Sequence, residues 1–324
     1  SKTYPNPMTQ YSNYTTAESG NFGEVLAVDG PTVIIGDNLN DYGGATPIVS
    51  TSMTGFSLRD NKTKTDSGAV FIAYGDPSNL SAKSYIMLKP ADAASGDRFG
   101  SQVATSESFI AVTAAYKNNG TVYIYKLPGW GQVAKLTSDA STPVSGFGSS
   151  LSMAGDYLAV SSPNEKAVYL YMAPSWNLFK KLTFSSVQNI SLSRGWLAVV
   201  ADLTYIYKLP RLWTTDFTVD NVQISSPIVV NSAGDLILGG GRIITASGGK
   251  TTIGTGERLT TDADKNIYTA TGGSSTLSIA KYSESGTSMF TKQLSGSGSI
   301  GTVEAKAVTA DANYIYVAGR VEAN

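Results

Sequence analysis

Short apolar runs separated by polar or glycine-bearing turns dominate this chain from about residue 20 onwards. The most regular are Val33-Ile34-Ile35, Phe109-Ile110-Ala111-Val112, Tyr157-Leu158-Ala159-Val160, Trp196-Leu197-Ala198-Val199, Leu236-Ile237-Leu238, Ile267-Tyr268 and Tyr314-Ile315-Tyr316-Val317. Short runs rich in β-branched and aromatic residues, bounded by turn formers, predict strands. No window repeats apolar residues at helical spacing over a useful length, because Gly or Pro interrupts each run.

The runs recur. With Val33, Ile110, Leu158, Leu197, Leu236, Ile267 and Ile315 as anchors, the intervals are 77, 48, 39, 39, 31 and 48 residues. Four-stranded propeller blades repeat at about 40–50 residues. The long first interval has a visible source. Residues 38–66 carry loop composition (Gly43-Gly44, Asn61, many Ser and Thr) and read as an insertion; without those 29 residues the interval is 48.

Strand signals also flank each early anchor. Upstream lie Phe22-Gly23, Phe99-Gly100 and Phe147-Gly148; downstream lie Gly68-Ala69-Val70-Phe71, Gly120-Thr121-Val122-Tyr123, Ala167-Val168-Tyr169 and Thr204-Tyr205-Ile206-Tyr207. A fourth element runs from Trp130 to Leu136 and from Trp176 to Leu182, with a weaker version from Trp213. Four strands per repeat around a ring predict an all-β chain: a single-domain β-propeller of about seven four-stranded blades over 20–324. Residues 1–19 read as an extended N-terminal arm. Only nine residues follow Ile315, so the last blade is expected to be incomplete. Its open edge then needs a cover, either the arm or a partner subunit.

Composition narrows the chemistry. The 324 residues include no cysteine and no histidine, which removes disulfides, thiolate and imidazole metal sites, and Ser-His-Asp or Cys-His nucleophiles. Net charge is −1 with 15% charged residues, and no Lys/Arg cluster suits phosphate backbones, so nucleic acid is not an expected partner. No apolar run approaches the roughly 20 residues that span a bilayer, so no membrane insertion is expected. The start, Ser1-Lys2-Thr3-Tyr4-Pro5, has no signal-peptide pattern and fits removal of an initiator Met. The surface is rich in Ser, Thr, Gly, Asn and Tyr.

The three Phe-Gly pairs, each with a downstream Gly/Ala-x-Val strand, resemble FG-GAP repeats, the blades of integrin-type propellers. Asp262-Ala263-Asp264-Lys265-Asn266-Ile267-Tyr268 and Asp311-Ala312-Asn313-Tyr314-Ile315-Tyr316-Val317-Ala318-Gly319 resemble bacterial propeller repeats of the SBBP type. The fourth repeat shows Ser186-Val187-Gln188-Asn189 where a Phe-Gly pair would stand. The resemblance implies architecture rather than activity. Calcium loops of FG-GAP blades do not carry over, because Val28-Asp29-Gly30-Pro31, Thr105-Ser106-Glu107-Ser108 and Ala154-Gly155-Asp156 are too short and too poor in carboxylates.

Several local patterns invite a functional reading. Asp262, Asp264 and Asn266 have the spacing of calcium ligands, but Ile267 stands where that loop needs Gly, so a turn closed by its own side chains is expected. Asp37-Asn38-Leu39-Asn40-Asp41 also loosely suggests a cation loop. Neither a metal nor another cofactor is expected. The Pro-x-Trp turns at Pro128-Gly129-Trp130, Pro174-Ser175-Trp176 and Pro210 to Trp213 could form an aromatic sugar-binding ring; their recurrence at one structural position favours packing on a neighbouring blade. Acidic residues number 25, yet none are paired in a glycosidase pattern and no sialidase Asp-box is present. The insertion is the main binding candidate, with Tyr42, Phe56, Arg59 and Asp60 as contact residues, on the face where propellers present ligand loops. The arm, with Tyr4, Tyr11 and Tyr14, is a second.

These readings lead to a non-catalytic binding or scaffold protein, foremost a structural or host-attachment component of a tailed-phage virion. Its expected partners are other virion proteins or a host surface receptor or glycan, within a larger assembly. The alternatives are a secreted or surface bacterial adhesin or glycan-binding module, and a carboxylate-dependent carbohydrate-active enzyme.

Overall fold

The computed structural model describes residues 22–29, 32–43, 48–50, 63–74, 84–140, 146–193, 195–209, 217–219, 228–231, 235–238, 242–244, 250–253, 258–262, 264–274, 276–295, 300–310 and 315–323. The chain is an all-β propeller. Its first sheet holds β1 (Leu26–Asp29), β2 (Thr32–Asp37), β3 (Ile48–Ser50), β4 (Ala69–Tyr74) and β5 (Ser84–Leu88) in the order β1-β2-β4-β5-β3. Four-stranded meanders follow. The second sheet is β6 (Phe99–Ser106), β7 (Phe109–Ala114), β8 (Thr121–Lys126) and β9 (Gly131–Thr137). The third is β10 (Leu151–Ala154), β11 (Tyr157–Ser162), β12 (Ala167–Met172) and β13 (Asn177–Thr183). The fourth is β14 (Asn189–Ser193), β15 (Trp196–Val200), β16 (Thr204–Lys208) and β17 (Phe217–Val219). The fifth is β18 (Ile228–Val230), β19 (Leu236–Leu238), β20 (Arg242–Ile244) and β21 (Lys250–Thr252). The sixth is β22 (Arg258–Thr261), β23 (Ile267–Gly272), β24 (Thr276–Tyr282) and β25 (Ser288–Ser295). A last, two-stranded sheet pairs β26 (Ile300–Ala310) with β27 (Ile315–Ala323).

Two expectations are corrected here. Five sheets, not about seven, are four-stranded blades among the described residues. Moreover, residues 38–66 are not wholly loop. Ile48-Val49-Ser50 crosses to the outer edge of its sheet and pairs with Tyr85–Met87 of β5. The short β-branched run inside the Ser/Thr-rich insertion meets an open strand edge, and pairing satisfies both backbones.

First strands neighbour one another in cyclic succession, from β1 through β6, β10, β14, β18 and β22 to β26, which returns to β1. The core is therefore a series of layers between sheets. In β8 every residue from Thr121 to Tyr125 is buried, so the expected polar-apolar alternation vanishes. Alternation survives as a division of labour. Tyr123 and Tyr125 join Ile34, Val70, Ile72 and Ile86 of the first sheet, whereas Val122 and Ile124 join Leu158, Val160 and Tyr169 of the third. A strand buried on both faces needs apolar residues at consecutive positions, which is why these runs are continuous.

The Phe-Gly pairs are the hinges of this stacking. Phe99 is fully buried and its N–H donates to Ser67 O of the first sheet at 2.9 Å. A Cβ on Gly68 would lie 2.0 Å from Phe99 O, and one on Gly120 would lie 2.1 Å from Phe147 O. At the corresponding corner of the third sheet stands Lys166 in the left-handed region (φ 55°). The next sheet offers it no Phe-Gly pair, and glycine is not required there.

Inner strands are stitched by hydroxyls. Ser152 Oγ accepts from Leu192 N (2.8 Å), Ser191 Oγ accepts from Val230 N (3.0 Å), and Ser193 Oγ donates to Asn231 O (2.9 Å). First strands of neighbouring sheets share no ladder, so side chains satisfy these inner backbone groups. Among the described residues no helix is long and apolar enough to cross a membrane.

Candidate functional site

In a meander whose first strand is innermost, the connection between strands two and three and the link to the next sheet emerge at the same end. That end carries the insertion and two polar constellations built alike. Asp92, in the link from β5 to β6, accepts from Tyr123 Oη at 2.8 Å and from Lys135 Nζ at 2.7 Å. Tyr123 and Lys135 face each other across β8 and β9, and the ammonium lies 5.6 Å from the ring centroid. Lys117, at the β7–β8 corner, donates to Asp92 O (2.6 Å) and to Asp97 Oδ2 (2.8 Å).

One sheet on, Asp139 from the link after β9 accepts from Tyr169 Oη and Lys181 Nζ, each at 2.5 Å. Tyr169 and Lys181 again pair across strands, with the ammonium 4.6 Å from the ring centroid. Here the β11–β12 corner supplies a carboxylate. Glu165 shares the Tyr169 hydroxyl proton with Asp139, accepts from Ser162 Oγ at 2.7 Å, and lies 3.4 Å from Lys181 Nζ. Each constellation is a clasp. A carboxylate arriving from the previous sheet is held by a Tyr–Lys pair on the next.

The electrostatics follow from this pairing. Burial alone would raise the Asp92 carboxyl, but hydrogen bonds from Lys135 and Tyr123 and the charges of Lys117 and Lys135 outweigh it and hold it below the usual range. Asp139 is lowered first by the Lys181 hydrogen bond and then by that of Tyr169. For Glu165, burial again opposes; bonds from Ser138, Tyr169 and Ser162 prevail and lower it. Burial, reinforced by Asp139 and Glu165, pushes Tyr169 up to about 12, and burial with Asp92 pushes Tyr123 still higher. These carboxylates stay charged and these phenols stay protonated at neutral pH.

The comparisons with known proteins fit this architecture. Residues 86–125 match the FG-GAP repeat model, spanning β5 to β8 and including Phe99-Gly100 and the Gly120 corner. No curated protein matches the chain. Among solved structures, a Staphylococcus aureus virginiamycin B lyase, a catalytically inactive histidine-to-alanine variant with quinupristin, superposes with a TM-score of 0.58 at 12% identity, over 94% of this chain and 93% of that one. KlHsv2 with loop 6CD replaced by a Gly-Ser linker gives 0.52 at 12% identity over 94% and 98%. The RRP9 WD40 repeats give 0.46 at 12% identity, covering 61% of this chain and 66% of that one. At such identity the likeness concerns the fold. The SBBP-type segments lie outside the matched interval, and Asp311-Ala312-Asn313 lie outside the described residues.

The structure places the residues singled out from sequence unevenly. Phe56, Arg59, Asp60, Tyr4, Tyr11 and Tyr14 lie outside the described residues, as do the arm 1–19 and Trp213. Tyr42 lies on the loop face, half-buried, with its ring against the cluster of Ala69, Phe71, Tyr85 and Met87. Beside the Asp37–Asp41 loop sits an ammonium of the protein itself. Buried Lys89 donates to Tyr42 O and to Ser67 Oγ (2.6 Å), and Ser67 Oγ donates to Asn40 O (3.1 Å). Asp262 accepts from Asn266 N (2.9 Å), Asn266 Nδ2 (2.8 Å) and Tyr268 Oη (2.7 Å), closing the expected turn. Among the described residues no three carboxylates gather as a metal site. Trp176 is buried edge-on to Phe109 of the preceding sheet at 4.9 Å, and Trp130 packs on the layer between the first two sheets.

Sequence reading missed the clasps. A signal existed: Tyr123/Tyr169 and Lys135/Lys181 recur at 46 residues and Asp92/Asp139 at 47, close to the blade step.

Proposed function

We propose that this chain is a non-catalytic β-propeller that binds or organises partners through the loop face of its first three sheets. The observation that carries this reading is the state of the polar groups there. General acid–base catalysis needs titratable groups pushed apart, one toward neutrality. Asp92, Asp139 and Glu165 are all pushed down and Tyr123 and Tyr169 all pushed up, each engaged by a structural partner. The lack of histidine supports the same reading, since the superposed lyase is described as inactivated by loss of one.

For location, the Ser/Thr/Gly/Tyr-rich, Cys- and His-free composition supports a structural or attachment role in a tailed-phage particle. Mass spectrometry and immunogold labelling of purified particles test that placement, and absence from the particles rejects it in favour of a surface adhesin. A screen of glycosides and esters tests the non-catalytic reading. Turnover abolished by Asp92→Asn or Glu165→Gln, with folding intact, overturns it.

A further inference from the structure

We propose that the β7–β8 corner is a shallow saccharide-binding site with the Tyr116 ring as its stacking platform; this rests on reading the loop face as a binding surface and names its ligand class. Tyr116 is 66% exposed, the highest value among the large apolar and aromatic residues that reach solvent within the described part of the chain. The others (Val133, Met172, Leu178, Phe179, Met289 and Phe290) lie toward the opposite ends of their sheets, at the ends of third strands or the beginnings of outer ones. Among the described residues the ring thus has no other exposed large apolar side chain at its end of the sheets. That setting suits a ligand with one apolar face and a polar rim, not a hydrophobic helix or strand.

The platform is pinned. The Arg98 guanidinium lies 4.7 Å from the Tyr116 ring centroid, backing the ring. Arg98 holds a left-handed backbone (φ 54°), and its N–H donates to Asp66 O at 3.0 Å. Tyr116 N donates to Asp97 O at 3.2 Å, and the next residue, Lys117, is tied to Asp92 and Asp97. A fixed aromatic surface loses little conformational entropy when a ligand stacks on it. The C–H face of a pyranose fits such a ring, and its hydroxyls need donors and acceptors around it. The same corner offers the Asp92 carboxylate, 48% exposed and tied through its own backbone carbonyl to Lys117, and the exposed Asn118, itself in the left-handed region at φ 49°.

The matching residue of the third sheet, Ser162, is fully buried and donates to Glu165 Oε1 at 2.7 Å, tying its corner together. Tyr116 instead turns its ring to solvent, so burial does not account for an aromatic side chain at this corner.

Saturation-transfer NMR with methyl glycosides of glucose, galactose, mannose, N-acetylglucosamine and N-acetylneuraminic acid, and their short oligomers, tests the proposal. Transfer to at least one sugar is expected, about tenfold weaker or lost in Tyr116→Ala and kept in Tyr116→Phe. Both variants should melt with the wild type, because the side chain is exposed. Transfer that survives Tyr116→Ala, or no transfer from any probe, overturns it. If a macromolecular partner still binds the loop face in that case, the binding-surface reading stands and only the saccharide assignment falls.

Discussion

The second and third sheets and the sixth use the same three side-chain chemistries to opposite ends. In each, a Tyr and a Lys pair across adjacent strands, and an Asp accepts from the tyrosine hydroxyl. In the sixth sheet that Asp is Asp262, six residues before Tyr268, and with Asn266 it closes the β22–β23 turn on itself. In the second and third sheets the Asp lies 31 and 30 residues away and arrives from the link to the previous sheet. The first arrangement ties a hairpin and the second ties neighbouring sheets. The apolar layers differ in the same sense. Between the second and third sheets lie Phe147, Tyr169, Tyr171 and Trp176, whereas Ala270, Ala305 and Val308 form the cluster between the sixth and the last. Large buried side chains and long-range clasps concentrate where the Phe-Gly pairs dock.

The largest effect on that contrast comes from emptying the aromatic layer. Phe147 is buried against Tyr169 at 5.3 Å, so Phe147→Ala is expected to cost about 3–5 kcal/mol in urea unfolding. A loss below about 1 kcal/mol would show that this interface is not the stronger one.

A smaller effect sharpens the docking argument. Gly120→Ala places a Cβ 2.1 Å from Phe147 O at φ +116° and is expected to cost about 1–3 kcal/mol. The matched change Lys166→Gly, at a left-handed corner that receives no Phe-Gly pair, should fall within about 1 kcal/mol of wild type. Equal effects at the two corners would remove the link between glycine and docking.

The clasps give the smallest signal, because Asp92 and Asp139 are about half exposed and solvent screens them. Their folded carboxyls, and that of Glu165, sit below the ordinary 3.8 and 4.5. The unfolded chain therefore takes up protons first, so the stabilisation is complete above those values and is lost as pH falls through the lowered folded ones. Tyr169 is raised from 10.0 to about 12, so its contribution is complete below pH 10 and is lost as pH rises toward 12. Melting curves should thus decline at both extremes. The combined Asp139→Asn and Glu165→Gln variant should flatten the acid limb. An identical acid limb in the clasp variant would rule out the inter-sheet role.

Much of the fold is legible along the chain. Continuous apolar runs such as Val122 to Tyr125 announce strands covered on both faces, and their recurrence announces sheets stacked in a ring. The Asp262–Asn266 turn is equally readable, because its donor and acceptors are four residues apart. Less of the site is legible. Tyr123 and Tyr169 read as core residues, which they are, while nothing near them in sequence points to Asp92 or Asp139.

The residue order by itself determined which segments become strands, which corners must be glycine, and that thiol and imidazole chemistry are excluded. Only the tertiary structure decided that Ile48-Val49-Ser50 seals the outer edge of the first sheet, that Asp139 answers Tyr169, and that Arg98 braces Tyr116. The reason is physical. Hydrophobic periodicity records how deeply each position is buried, a property fixed within a few residues, whereas a hydrogen bond or ring contact across sheets depends on where distant loops arrive once the ring has closed.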